Sequence, residues 1–214
     1  VVADGGCGFG NPLNTYRTVR EYEAAGAAGI NLEDQVYPKR CGHLSGKQVI
    51  PPEEMVEKIQ AAREARRDPD FVITARVDSL AIHGLDDAVS RANLYAQAGA
   101  DMVFTEAPTS VEEVRHIIRA VNAPSWINMV EGGKTPLIPV SELQEMGAAL
   151  VDYGPLVLFA AAAGIRRALE VLKRDGTTAA HLGELMSFTA LNQLNQIDDY
   201  RAREVRYGVK TVDR

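Results

Sequence analysis

The chain has 214 residues, 46% of them hydrophobic and 24% charged, with a formal net charge of -6. This apolar fraction excludes a mainly disordered chain, and the length is ample for a folded core. The acidic balance argues against nucleic-acid binding, which needs clustered Lys and Arg. No apolar segment is long enough to span a bilayer, and two cysteines do not make a disulfide framework. We therefore expect a reduced, cytoplasmic protein with no membrane partner.

Short apolar runs alternate with longer helical patterns along the chain. The predicted strands are residues 1–4, 29–33, 71–77, 102–106, 125–129 and 149–153. The predicted helices are residues 15–28, 52–66, 85–98, 111–121, 141–146 and 156–173. Ser110 is the expected N-cap of the fourth helix, with Glu113 completing a capping box. Strands that alternate with helices, without hairpins, predict a parallel sheet.

Both a doubly wound sheet and a (β/α)8 barrel fit this alternation, and the strand ends distinguish them. Nearly every predicted strand ends in a polar residue, and in a barrel all of these ends meet at one face. A doubly wound sheet concentrates function at one switch point instead. We therefore predict an α/β fold, a (β/α)8 TIM barrel, with units three to eight in residues 1–176. The chain starts within a predicted strand and without Met, so we expect the first two units to be missing.

An additional C-terminal helical segment is predicted over residues 177–214. Residues 181–207 contain apolar side chains at helical spacing, which indicates one helix or a helix pair. A barrel does not need this segment. We expect it either to cover the barrel or to pack on another subunit.

The segment from residue 33 to residue 47 carries the most chemistry. Carboxylates end a strand, and the following loop contains the run Lys39-Arg40-Cys41-Gly42-His43. Cationic neighbours favour the thiolate form of a cysteine, so Cys41 is a candidate acid, base or nucleophile. The alternative is an exposed basic loop in which the cysteine has no role. A disulfide between Cys7 and Cys41 is conceivable but not expected in a reducing compartment.

The polar strand ends form a second candidate site. Carboxylates such as Asp4 and Glu33 could hold a divalent metal through oxygen ligands. Arg76 could bind a substrate carboxylate with two parallel hydrogen bonds. Glu106 and Asn128 could position a hydroxyl group or a metal-bound water. The alternative for each residue is a structural ion pair in the mouth of the barrel.

The Cys41 motif, preceded by Glu33-Asp34-Gln35, resembles the signature of the isocitrate lyase / phosphoenolpyruvate mutase superfamily. Further matching segments are Asn11-Pro12-Leu13-Asn14, Ala75-Arg76-Val77-Asp78, Phe104-Thr105-Glu106-Ala107, Asn128 with Thr135-Pro136, and Arg206-Tyr207. The motif cysteine points to the lyase branch, because the phosphonate-forming mutases lack it. Residues 46–51 look most similar to the dimethylmalate lyase and petal death protein group, with methylisocitrate lyases next.

The resemblance implies a (β/α)8 barrel and a Mg²⁺-dependent retro-Claisen cleavage, with Mn²⁺ as the alternative ion. The implied substrate is a small 2-hydroxy dicarboxylate of the 2-alkylmalate type, and the products are an oxo-acid such as pyruvate and a carboxylate. Cys41 would protonate the enolate-like fragment. The implied catalytic residues are Cys41, His43, Lys39 and Glu33. The implied substrate-binding residues are Gly42, Arg76, Glu106 and Asn128, and the implied metal ligands are Asp4 and Glu33. A homotetramer with swapped C-terminal helices is also implied.

Two features of the chain bear on this assignment. The family pattern after the first strand of this chain is Asp-x-Asp-Thr-Gly-Tyr-Gly, but Gly6 and Cys7 replace the second Asp and the Thr. Loss of that carboxylate weakens the expected metal site. Residues 156–161 contain no Arg, whereas methylisocitrate lyases carry one there for a further substrate carboxylate, so a dicarboxylate fits better than a tricarboxylate. The alternatives are an oxaloacetate hydrolase, a methylisocitrate lyase and a degenerate, non-catalytic barrel.

Overall fold

A computed structural model describes residues 1–208 of the chain and contains six strands in that range. The strands are β1 (Val2–Asp4), β2 (Gly29–Glu33), β3 (Val72–Val77), β4 (Met102–Thr105), β5 (Ser125–Asn128) and β6 (Leu150–Asp152). Each lies within one residue of its predicted bounds, so the strand predictions are confirmed.

The six strands form one parallel sheet in the order β1-β2-β3-β4-β5-β6. A doubly wound sheet would reverse its strand order at a switch point, whereas a (β/α) barrel keeps chain order. The prediction of barrel-type α/β topology is therefore confirmed. Cα register pairs Glu33 with Arg76, Arg76 with Phe104, and Phe104 with Trp126. These four side chains consequently lie in one row across the same face of the sheet.

Nine α-helices are found in the described residues. They are α1 (Pro12–Ala24), α2 (Pro52–Ala65), α3 (Leu80–His83), α4 (Leu85–Ala98), α5 (Val111–Ala120), α6 (Val140–Met146), α7 (Leu156–Asp175), α8 (Phe188–Leu194) and α9 (Ile197–Arg206). A 3-10 helix, Ala179–Glu184, follows α7. No helix within residues 1–208 combines the length and apolar character that crossing a membrane requires.

Two helix starts differ in detail from the sequence prediction. Helix α1 begins three residues early because the Asn11 side chain accepts hydrogen bonds from the amides of Leu13 and Asn14. Ser110 caps α5 as predicted, since its hydroxyl oxygen accepts from the Glu113 amide at 3.1 Å. The capping box itself is wrong: the Glu113 carboxylate accepts from the amide of Thr109 at 2.6 Å instead. The short helix α3 was not predicted.

The hydrophobic core lies between the sheet and the helices that follow its strands. Burying one large apolar side chain contributes about 1.5–3 kcal/mol to folding, so this layer supplies most of the stability. The largest fully buried apolar side chains are Tyr95, Phe71, Ile30, Leu32, Met55, Ile59, Ile73, Ile117, Ile127, Met129 and Leu143.

Residue contacts divide the chain into two units, Val1–Leu156 and Val157–Arg214. This division falls near the start of α7 and not at its end, and the boundary at residues 176 and 177 stays a prediction. The predicted helix pair after α7 is a 3-10 helix followed by α8 and α9, and residues 209–214 lie outside the described range. Within the described part, this second unit exposes many large apolar side chains. They include Val157, Leu158, Ile165, Leu169, Leu182, Met186, Phe188, Leu194 and Val205.

Candidate active site

The carboxyl ends of four neighbouring strands bring charged side chains to one edge of the sheet. Asp4 ends β1, Glu33 ends β2, Arg76 lies one residue before the end of β3, and Glu106 follows β4. In barrels with this topology the carboxyl ends of the strands carry the active site. Four of the sequence-predicted residues therefore meet at this edge, and Asn128 ends β5 at the same edge without joining their ion pairs.

Arg76 is the centre of this cluster. Its Nε atom donates to Oδ2 of Asp78 at 2.8 Å and lies 3.4 Å from Oε2 of Glu33. Its Nη2 atom lies 3.2 Å from Oδ1 of Asp78 and 3.2 Å from Oε2 of Glu106. Burial opposes the charge on Arg76, but Asp78 and Glu106 outweigh burial and raise its pKa. The guanidinium also lies 5.1 Å from the centre of the Phe104 ring, a cation–π contact.

Lys39 lies between the two predicted metal ligands. Its Nζ atom is 3.0 Å from Oε1 of Glu33 and 3.5 Å from Oδ2 of Asp4. Burial raises the pKa of the Glu33 carboxyl, although Arg76 and Lys39 act in the opposite direction. The two carboxylates thus face one cation-sized position at the edge of the sheet.

Asp4 and Glu33 fit a magnesium site of limited protein ligation. Mg²⁺ in proteins is often held by one or two carboxylates, with waters and substrate oxygens completing its shell. The structure supports this donor set because both carboxylates contact the single ammonium of Lys39. Within residues 1–208 no cluster of three or more His, Cys, Asp or Glu side chains has metal-binding geometry.

Cys7 packs against the carboxylate of Glu33. Its Sγ atom donates to Oε1 of Glu33 across 3.7 Å. Burial, and then the charge of Glu33, raise the pKa of the Cys7 thiol to about 11. Cys7 is therefore a protonated, unreactive thiol at neutral pH.

Residues 36–48, here named the Cys41 loop, carry the motif cysteine. At the base of the loop, Gln35 pairs with Val49 in an antiparallel bridge, and the Val36 amide donates to the Gln48 carbonyl at 2.9 Å. The buried Gln35 side chain accepts from the Arg40 amide and donates to the Arg40 carbonyl, both at 2.9 Å. These contacts fix the backbone directly before Cys41, whose side chain is exposed.

Both cysteines are free thiols. No disulfide joins Cys7 and Cys41 in this structure.

Gly42 and His43 bring the Cys41 loop into contact with the charged cluster. Nε2 of His43 lies 2.8 Å from Oε1 of Glu106, and Nδ1 accepts from the Lys134 amide at 3.0 Å. Because Nδ1 is an acceptor, the neutral ring carries its proton on Nε2, facing Glu106. A Cβ atom at Gly42 would lie 2.5 Å from Nη2 of Arg76 and 2.6 Å from Cδ of Glu106. Only glycine fits between the loop and the cluster.

Two buried groups at this face make no hydrogen bond within the described residues. Oδ1 of Asn128 has none, and the Glu106 oxygens lie at ion-pair distance from His43 and Arg76 without forming hydrogen bonds to them. Buried polar atoms without hydrogen bonds cost free energy, so these oxygens indicate a place for a polar ligand. Asn128 forms no hydrogen bond with Arg76, both of which lie in the described range. Its neighbour across the strand pair, Asp152, accepts a hydrogen bond from Nε1 of Trp126 at 2.6 Å.

Sequence reasoning missed a buried ionic network behind the cluster. Nζ of Lys47 donates to Oδ1 of Asp78 at 3.0 Å. Asp34 accepts from the Asp78 amide at 2.8 Å and from the Tyr95 hydroxyl at 2.9 Å. Burial raises the pKa of the Asp34 carboxyl to about 6. The only sequence signal for this network is the presence of Asp34 and Asp78 among the polar strand ends.

Relatives of known name resemble the chain over most of its length. The petal death protein of Dianthus caryophyllus is 44% identical over 207 residues, covering 97% of this chain and 65% of the relative. The 2,3-dimethylmalate lyase of Eubacterium barkeri is 42% identical over 208 residues, covering 97% and 72%. A 2-methylisocitrate lyase of Aeropyrum pernix is 44% identical over 213 residues, covering 100% and 68%. The chain thus spans about two thirds of the length of these relatives.

Solved structures agree with these relatives, and a family model identifies the chain. Oxaloacetate acetylhydrolase with 3,3-difluorooxalacetate superimposes with a TM-score of 0.89 at 34% identity, covering 99% of this chain and 71% of the other. Phosphonopyruvate hydrolase with oxalate and Mg²⁺ gives 0.83 at 30% identity, covering 96% and 72%. The model of phosphoenolpyruvate phosphomutase matches residues 1–173. The chain therefore belongs to this family of the phosphoenolpyruvate mutase / isocitrate lyase superfamily, as its motifs predicted.

Proposed function

We propose that this chain forms the catalytic part of a Mg²⁺-dependent carbon–carbon lyase that cleaves a 2-hydroxy dicarboxylate of the 2-alkylmalate type. The observation that carries the proposal is the position of the Cys41 loop. The two residues after Cys41 lie against Arg76 and Glu106, which supports a role for the Cys41 thiol beside this pair of buried charges. Relatives named as lyases support the same reaction class.

The substrate would be bound by the positive charge of Arg76 and by the buried oxygen atoms of Glu106 and Asn128. Arg76 keeps its charge and would hold one substrate carboxylate, in exchange for part of its contact with Glu33 or Glu106. Glu106 and Asn128 would accept hydrogen bonds from the substrate hydroxyl or from ordered water. Residues 156–161 supply no further Arg, which favours a dicarboxylate over a tricarboxylate.

Mg²⁺ would be held by Asp4 and Glu33 and would supply positive charge to the 2-hydroxy acid end of the substrate. Glu33 is the proposed base that accepts the hydroxyl proton, and the Lys39 ammonium, 3.0 Å from its Oε1 atom, would stabilise the oxyanion that forms. The carbon–carbon bond then breaks as the carbonyl group of the oxo-acid forms. The electron pair of the broken bond remains on the other fragment, which leaves as an enolate-like carboxylate. Cys41 donates its thiol proton to the carbon of this fragment, and the Glu106-bound ring of His43 keeps the loop in place.

The test is a pyruvate-release assay on the complete reading frame, with Mg²⁺ and a panel of 2-alkylmalates. We expect pyruvate release that a chelator abolishes and Mg²⁺ restores. Absence of release across the panel, from a folded protein, would contradict the proposal. Mg²⁺ titration by calorimetry then separates a degenerate barrel, which binds no metal, from an enzyme with another substrate.

Oxaloacetate hydrolysis is the second candidate, because the oxaloacetate acetylhydrolase structure superimposes with a TM-score of 0.89. Product analysis separates the two reactions. A malate-type substrate yields pyruvate and a monocarboxylate, whereas oxaloacetate yields oxalate and acetate.

We also propose that the complete protein is a cytoplasmic homotetramer that exchanges its C-terminal helices. The support is the set of large apolar side chains that the unit starting at Val157 exposes, since apolar patches of this kind mark interfaces. Light scattering on the complete protein should give four times the mass of one chain. A monomer at micromolar concentration would contradict this assembly.

A further inference from the structure

Lys47 is a buried lysine with no part in the mechanism proposed above. It lies near the end of the Cys41 loop, and only 2% of its side chain is exposed. A buried ammonium is costly unless it is paired, and its partner here is the fully buried carboxylate of Asp78 at 3.0 Å. The role of Lys47 must therefore be sought in what Asp78 does.

Asp78 shares its carboxylate between Lys47 and Arg76. Arg76 donates to both carboxylate oxygens, at 2.8 and 3.2 Å, while Lys47 donates to Oδ1 alone. The backbone amide of Asp78 is held in turn by Asp34. Asp78 thus connects Arg76, the cation of the candidate substrate site, to Lys47 near the end of the Cys41 loop.

The remaining contacts hold the other parts of the loop. Gln35 fixes the backbone of Arg40, and His43 is held by Glu106 and by the Lys134 amide. Residues 44–46 are exposed, and Lys47 is the next buried residue. Gln48 and Val49 are held at the base of the loop by backbone contacts, and Lys47 is the residue whose side chain ties this end of the loop to Asp78.

We propose that Lys47 is a positioning residue whose ion pair with Asp78 holds the Cys41 loop against Arg76, so that Cys41 stays within reach of the bound substrate. The effect on catalysis rests on the proposed function. The effect on loop closure is independent of that function and can be measured without substrate.

Hydrogen–deuterium exchange of the complete protein measures loop closure directly. Lys47→Met should raise the exchange rate of peptides covering the Cys41 loop about tenfold, equivalent to about 1.4 kcal/mol of opening free energy. Peptides from β4 and α5 should be unchanged. Lys47→Arg retains the charge and should restore most of the protection.

Lys58→Met is the matched control. Lys58 is similarly buried but contacts Glu54 and the Cys7 carbonyl, not Asp78. In Lys58→Met, peptides from the Cys41 loop should exchange at the wild-type rate. An unchanged loop in folded Lys47→Met, or an equal increase in Lys58→Met, would overturn the proposal. If Lys47→Met does not fold, Lys47→Met with Asp78→Asn removes both charges of the pair, and the same loop-specific increase is expected.

Steady-state kinetics adds a second readout. Lys47→Met should lower kcat at least tenfold with less than a threefold change in KM, because Arg76 keeps both hydrogen bonds to Asp78. Lys47→Arg should recover most of kcat. A raised KM with unchanged kcat would show that Lys47 acts on substrate charge and would contradict the positioning role. If the wild-type enzyme shows no turnover, the proposed function fails while the exchange experiment still decides whether Lys47 closes the loop.

Discussion

Gly42→Ala tests how closely the Cys41 loop must approach the charged cluster. The added Cβ atom would lie 2.5 Å from Nη2 of Arg76, whereas ordinary contact begins at 3.4 Å. Either the loop or the pair of Arg76 and Glu106 must therefore move by at least about 0.9 Å, the difference of these two distances, since Cγ of Glu106 lies nearer still. Gly42 does not adopt a positive φ, so the substitution acts through space and not through backbone strain.

The size of the effect follows from this displacement. A misplacement of about 1 Å in a catalytic arrangement can lower the rate about 100-fold. Overpacking in a buried site costs about 1–3 kcal/mol of folding free energy. We therefore expect kcat/KM for pyruvate release to fall about 100-fold, with a moderate decrease in the free energy of unfolding measured in urea.

Gly164→Ala is the control for a glycine-to-alanine change. Gly164 lies inside helix α7, and no atom of the described chain outside its own helix backbone lies within 4 Å of the position of a Cβ. This change should stabilise the helix by about 0.5–1 kcal/mol and leave kcat/KM unaltered. If Gly42→Ala retained kcat/KM within a factor of three, the close contact between the loop and Arg76 would be unnecessary and the reasoning refuted.

Three further outcomes are expected. Cys41→Ser should lower turnover at least about 100-fold while the melting temperature stays unchanged, and a wild-type rate would exclude Cys41 as the acid. Gly6→Asp has open space for its side chain, so the added carboxylate should tighten Mg²⁺ binding measured by calorimetry. The positive φ of 51° at this position should cost about 1 kcal/mol of folding stability. An unchanged Mg²⁺ affinity would show that this position does not face the metal. Burial raises the pKa of Asp34 to about 6, so the folded state holds its proton more tightly than the unfolded chain. The contribution of Asp34 to the free energy of unfolding should therefore fall by about 3 kcal/mol as pH rises from about 4 to above 6. Asp34→Asn should remove this pH dependence, as measured by urea unfolding at several pH values. The same pH dependence in the wild type and the variant would contradict the prediction.

The strands could be predicted closely because local signals mark them. Each is a short, mainly apolar run that ends in a polar residue or directly before one, so its position does not depend on distant contacts. The start of α1 was missed because the capping side chain of Asn11 precedes a proline and lies outside the periodic apolar pattern. The capping box at Ser110 failed because Glu113 found a nearer donor in Thr109.

The candidate site was predictable as a set of residues but not as a set of contacts. Parallel topology alone requires Asp4, Glu33 and Arg76 to meet at one edge. The ion pair of Lys47 with Asp78 joins residues 31 positions apart, and no periodicity encodes such a pairing. The sequence also does not reveal that Arg76 is surrounded by three carboxylates before any substrate binds.

The row of Glu33, Arg76, Phe104 and Trp126 has a consequence for how the protein reaches its active form. These side chains are neighbours because of the Cα register of the parallel strands. A slip of one residue in any strand would turn its charged or aromatic member toward the helices and its apolar members away from the core. A register shift that misplaces the site residues would thus also misplace the core residues, so molecules with the wrong register would be unstable. Chains that fold in the correct register therefore have this row of side chains already aligned, without a separate assembly step.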